Sequence, residues 1–165
     1  MNSKSNLGVD VGGVIIDWIP HIGKELDLKG PRYLETPEVA DAVASLKTLN
    51  EGVFKERVFL VSKYDPKYGP ERVIEWLDVH NFWERTGIPK SHFYPCAERN
   101  EKAGICNNLN ITHFVDDRTE VLSHMTNDVL HLIAFQSKDF NEYPEISDKV
   151  TRVESWEELM HILTI

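Results

Sequence analysis

The order of apolar segments along this 165-residue chain predicts an α/β fold, with a mainly parallel central sheet covered by helices on both faces. Three observations carry that expectation. Short, β-branched apolar runs, each too brief for a helix, recur at Leu7–Val11, Val58–Ser62 and His113–Asp116. Segments with apolar residues at helical spacing fall between them, and strand–helix–strand alternation implies right-handed crossovers between parallel strands. The hydrophobic and charged contents, 41% and 27%, are ordinary for a soluble chain large enough to bury a core.

Each element has its own signal. The first strand carries a single acid, Asp10, inside a run that is otherwise apolar or glycine. Thr36-Pro37 reads as a helix N-cap followed by proline at the first helical position, and Val39, Val43 and Leu46 continue at helical spacing. Val73, Trp76, Leu77 and His80 repeat in the same way after Pro70, and His92–Pro95 reads as a short strand. Lys102 to Leu109 forms the next helix, with Asn110 as its left-handed cap. Val129–Phe135 is a further strand. Ser155-Trp-Glu-Glu158 is a capping box that opens the last helix, whose apolar face is Leu159, Ile162 and Leu163. No repeat or linker interrupts the series, so residues 1–165 read as one domain with a short flap at about 17–36.

Composition excludes several classes. A net charge of −9 argues against broad binding to nucleic acid, although a local basic pocket is compatible with it. No run approaches the roughly 20 apolar residues of a membrane span. Two cysteines, Cys96 and Cys106, without CxxC spacing suggest a reducing, cytoplasmic setting and small core residues, not a nucleophile. The seven histidines lack metal-ligand spacing, and His113 reads as a core histidine. Arg85 and Arg99-Asn100 sit in loops near the predicted rim and read as solvated surface, with substrate contact as the alternative.

The strand ends are more informative. In parallel sheets, ligands collect beyond the carboxyl ends of the strands. The first strand carries Asp10, the second ends at Ser62-Lys63 and the third at Asp116-Asp117. Three carboxylates at one edge repel one another unless a cation joins them, and an all-oxygen donor set suits Mg2+. Lys102, at a helix start just before the Asp116 strand, reaches the same edge, and Ser62 adds a hydroxyl. Together they describe a phosphoryl-transfer site with Asp10 as nucleophile.

The order D10-V-G-G-V14, V58-F-L-V-S62, Lys102, T112-H-F-V-D-D117 resembles the haloacid dehalogenase-like (HAD) superfamily of aspartyl-nucleophile hydrolases, from about Leu7 to Phe135. The resemblance implies a three-layer Rossmann-like sandwich and an Mg2+-dependent phosphatase of capless or minimal-cap type. Asp10 would form an aspartyl-phosphate, and Ser62 and Lys102 would hold the phosphoryl group. Gly13 would sit in a tight turn where backbone N–H groups meet phosphate. Asp10, the Gly12 carbonyl and Asp116 would face the metal, with Asp117 either a second ligand or a group that holds a metal-bound water. Asp117-Arg-Thr-Glu120 is also a capping-box pattern, so Asp117 can cap the next helix, a use compatible with a metal role for Asp116.

One position departs from the family pattern. Gly12 stands where the D-x-D motif has the acid that protonates the leaving group. The expected consequence is a slow or selective enzyme, or a degenerate relative that binds or senses a phosphorylated ligand without turnover. Asp17 and His21, just downstream, are candidate surrogates that also read as exposed loop residues. The expected substrate is a phosphorylated small molecule or phosphoprotein. The flap residues Trp18, Ile19, Ile22 and Tyr33 either line the pocket, dock a partner or pack on their own domain; a second copy of the chain could also supply a lid. Lys63 is expected to point into solvent, with phosphate contact as the alternative. A two-component receiver is disfavoured because its paired acids come first in the chain and its lysine late. A polynucleotide-end phosphatase is disfavoured by the acidic charge and the lack of an Arg/Lys cluster in sequence.

Overall fold

The computed structural model describes residues 4–17 and 29–164. Its centre is a six-stranded sheet in which every pairing is parallel: β1 (Leu7–Val9), β2 (Val58–Lys63), β3 (Phe93–Cys96), β4 (His113–Asp116), β5 (His131–Phe135) and β6 (Val150–Val153). The strand order is β3-β2-β1-β4-β5-β6, so the chain reverses its direction of travel across the sheet between β1 and β4. Crevices at such reversals are where ligands bind in doubly wound sheets.

Side-chain alternation explains why helices cover both faces. Leu7, Val9, Leu60, Val115, Ile133 and Phe135 point to one face, and Val61, Phe114, Leu132 and Ala134 to the other. The first set packs against α1 (Ala42–Glu51), α2 (Glu71–Val79), α3 (Phe82–Thr86) and α6 (Trp156–Leu163), through residues such as Leu46, Trp76, Phe82 and Leu159. The second packs against α4 (Glu101–Asn108) and α5 (Thr119–Ser123) through Cys106, Val121 and Leu122. This is the three-layer arrangement expected. Gly8 belongs to the same design, because a β-carbon there would stand 2.6 Å from the Phe114 ring.

Several boundaries differ from the sequence reading. β1 stops at Val9, so Asp10 lies just past the strand end. The first helix begins at Ala42, not at Pro37: Thr36 instead closes a 3-10 turn, Tyr33–Glu35, and its carbonyl accepts the Trp76 indole N–H at 2.9 Å. Ile162 is exposed, and α6 buries Trp156, Leu159 and Leu163. The capping box holds, with Ser155 Oγ accepting from Glu158 N at 3.2 Å. Asn110 has φ 52, the left-handed conformation expected after α4. β6 was not anticipated. It is a short edge strand whose central Thr151 and Arg152 are exposed, and that polar middle hides the alternation while protecting the edge. No helix among the described residues is long and apolar enough to cross a membrane.

Candidate active site

Asp10 emerges from β1 beside β4, with its N–H donating to the Val115 carbonyl at 2.9 Å. The chain then turns sharply. Val14, Ile15 and Ile16 all direct their N–H groups to the Val11 carbonyl, and Gly13 supplies the positive φ of 84° that the turn requires. The Trp156 indole N–H donates to Val14 O at 2.8 Å, so α6 buttresses the turn from beneath.

Gly13 has a second role that corrects its expected one. Its N–H is already donated to Ile16 O at 2.9 Å and is not available to a phosphate. What Gly13 provides is space: a β-carbon there would fall 2.3 Å from Asp117 Oδ2. The glycine lets the Asp117 carboxyl come close to Asp10.

Lys102, on the first turn of α4, is 2% exposed and bridges the acids. Its Nζ donates to Asp10 Oδ1 at 2.9 Å and to Asp116 Oδ2 at 2.8 Å. Asp10 Oδ1 also accepts the Val11 N–H at 2.9 Å, and Asp116 Oδ1 accepts the Arg118 N–H at 2.9 Å. Asp117 completes the group, so that carboxylate oxygens of Asp10, Asp116 and Asp117 lie within 4.8 Å of one another.

Three acids and one ammonium leave an excess of negative charge, and the proton affinities follow it. Burial, the charges of Asp10 and Asp116, and shared hydrogen bonds with both push Asp117 up to about 9. Burial and the charge of Asp10 push Asp116 up to about 6, against the opposing pull of Lys102. Burial alone would lower Lys102, but the two carboxylates beside it overcome that and hold it firmly charged. A cluster of hard oxygens kept partly protonated by mutual repulsion is chemically matched to a divalent cation such as Mg2+, which would replace the retained proton. Asp10, Asp116 and Asp117 are the carboxylates placed to hold it, and Gly12 lines the same cavity.

The surrounding cavity has a volume of about 350 Å³, and Asp10, Gly12, Gly13, Ser62, Lys102, Asp116 and Asp117 all line it. Ser62 is 3% exposed, and its hydroxyl makes no hydrogen bond among the described residues, so it is a donor facing the cavity without a protein partner. Lys63 also lines the cavity. It is half-buried, not solvated, with its Nζ 3.4 Å from Tyr64 O.

Other candidates lie elsewhere. Asp17 is not among the cavity-lining residues, and its N–H is fixed to Pro37 O at 2.8 Å. His21, Trp18, Ile19 and Ile22 lie outside the described residues. Tyr33 packs on its own domain: its hydroxyl donates to Glu75 and its ring lies under Arg72, 4.4 Å from the guanidinium carbon. Arg85 pairs with Glu38 away from the site. Burial pushes the Cys96 and Cys106 thiols up to about 11 and 12, which is opposite to what a nucleophile needs. Asp117 does not cap α5. Asp139 does so, accepting the N–H groups of Thr119 at 2.8 Å and Glu120 at 3.0 Å from a loop beyond β5. The cavity also collects residues that the sequence reading did not single out, notably Arg118, Lys138, Arg72 of α2 and the loop before it, from Tyr64 to Gly69. Arg118 and Lys138 each follow a strand's carboxyl end closely, the one signal that could have marked them.

No family model matches the chain, and no curated protein matches it.

Proposed function

We propose that the protein is an Mg2+-dependent phosphatase of the HAD-like kind, acting on phosphate monoesters through an aspartyl-phosphate on Asp10. The observation that carries this reading is the Lys102 bridge, which ties the acid after β1 to the acids after β4 and leaves Asp10 Oδ2 as the oxygen not bound by the ammonium. Asp10 Oδ2 attacks phosphorus, the new O–P bond forms, and the bond from phosphorus to the ester oxygen breaks. Lys102 donates to the attacking carboxylate and holds it aligned. The Ser62 hydroxyl donates to a phosphoryl oxygen from the β2 side. Water then attacks the phosphorus of the aspartyl-phosphate, which returns Asp10 and releases phosphate. Mg2+, when bound, supplies charge neutralisation for the phosphoryl oxygens.

Proton transfer is the weak point. Gly12 offers no side chain at the position from which the D-x-D acid serves the leaving group, and a missing general acid costs about 10²–10⁴-fold. Substrates whose leaving group departs as a stable anion are therefore favoured. Gly12 also supports a second reading, a protein that binds a phosphorylated ligand without turnover.

Hydrolysis of an aryl phosphate, measured with and without Mg2+, separates the two. The phosphatase reading expects metal-dependent release that Asp10→Asn abolishes. It also expects Gly12→Asp to raise turnover of alkyl esters more than of aryl esters. Full activity in Asp10→Asn would refute it.

A further inference from the structure

Seven of the chain's 18 Lys and Arg side chains line the one cavity around Asp10, although the chain as a whole carries −9. Four are engaged with the protein. Lys102 bridges the acids, Lys29 pairs with Asp65 at 3.5 Å, Arg99 pairs with Glu120 at 3.4 Å, and Arg72 lies 3.7 Å over the Tyr68 ring with Nη1 on Gly30 O at 3.0 Å. Three remain: Lys63, Arg118 and Lys138, which form no ion pair among the described residues. The remaining acid of that wall, Asp139, has its oxygens occupied by the α5 amides and the Ser137 hydroxyl.

Position sets two of these cations apart from the phosphoryl site. Asp10, Asp116 and Asp117 are balanced by Lys102 and one divalent cation. Lys63 ends β2, on the Ser62 side, whereas Arg118 and Lys138 follow β4 and β5 and are displaced from the nucleophile. Two strand spacings separate β1 from β5, about 10 Å.

Resting on the phosphoryl site at Asp10, we infer that the substrate is a small phosphate ester carrying a second anionic group, held by Arg118 and Lys138 on the β5 side of the cavity. A cavity of about 350 Å³ is the size of a small-molecule site and favours such a ligand over a polymer. The second group is a phosphate or a carboxylate, since both accept from guanidinium and ammonium donors. Unpaired cations at one mouth of an acidic protein also attract such ligands from solution.

The test uses Asp10→Asn protein with Mg2+, so that binding is read without turnover, and isothermal titration with three probes: propyl phosphate, propane-1,3-diyl bisphosphate and 3-(phosphonooxy)propanoate. At least one of the two probes with a second anionic group should bind about tenfold or more tighter than propyl phosphate, the gain expected of one or two charge-assisted hydrogen bonds. Which of the two does so identifies the second group. Arg118→Ala with Lys138→Ala should reduce that preference to about threefold or less, and added salt should narrow it. Equal affinity for all three probes, or a preference that survives the double substitution, would overturn the inference. So would tighter binding of a phosphoserine peptide than of either probe with a second anionic group. The phosphatase reading fails separately: a preserved preference with no metal-dependent hydrolysis by the wild type defeats catalysis and leaves the second-anion subsite standing.

Discussion

Replacing Asp117 by Asn should change how stability depends on pH, and only when divalent metal is absent. In the metal-free fold the Asp117 carboxyl is pushed from an ordinary 3.8 to about 9 by burial and by Asp10 and Asp116. The folded chain therefore retains a proton that the unfolded chain has released. A raised folded value gives stability that is fully present below about pH 4 and is lost as pH rises toward 9. One retained proton corresponds to a slope of about 1.4 kcal/mol per pH unit within that window. Between pH 5 and 7 the loss is about 3 kcal/mol, which in a chain of this size lowers the melting temperature by roughly 5–11 °C. Asn keeps the shape and cannot titrate, so Asp117→Asn removes this component while leaving every other titrating group in place. The assay is thermal unfolding in chelator from pH 5 to 8 for wild type and variant, read as the difference between the two curves. Mg2+ should cancel that difference for the wild type, because the ion takes the place of the proton. Parallel curves in chelator would refute the reasoning, since they would mean that Asp117 is not held protonated by its neighbours.

Gly13→Ala combines a left-handed backbone with a β-carbon 2.3 Å from Asp117 Oδ2. It should cost about 1–2 kcal/mol in backbone strain and weaken Mg2+ binding beyond that, measured as a smaller thermal shift per millimolar of metal. His113 offers the opposite pH dependence. Burial and the stacked His131 ring, with centroids 4.3 Å apart, lower its value to about 4. The unfolded chain takes up a proton near pH 6.5 that the fold refuses, so its contribution is intact above about 6.5 and declines as pH falls toward 4. His113→Gln should flatten the acid side of the stability curve in urea titrations. An unchanged acid limb would exclude His113 as its source.

The sheet was legible because its central strands are apolar on both faces and bounded by turns. β6 escaped because an edge strand with Thr151 and Arg152 at its middle carries no apolar period. The first helix start was misplaced for a local reason. Thr36-Pro37 has capping chemistry, yet its carbonyl is taken by Trp76 from α2, a long-range contact that no local pattern announces. The acid cluster was legible from strand ends alone, because the three acids and Lys102 each occupy a position that the topology carries to one edge. The rim was legible only at Arg99, which the sequence places in a loop near it. Arg118 and Lys138 share no motif, and only the parallel register of β4 and β5 brings them to one wall. Asp139 shows the same limit, since it takes over the capping role that Asp117-Arg-Thr-Glu120 suggested locally.

Covalent phosphoryl transfer to Asp10 is tested most directly by mass spectrometry of the protein quenched in acid during turnover of an aryl phosphate with Mg2+. A peptide bearing one phosphoryl group on Asp10, lost in chelator and in Asp10→Asn, is the predicted result. Phosphoryl on another residue, or turnover that proceeds with Asp10 unmodified at every quench time, would contradict it.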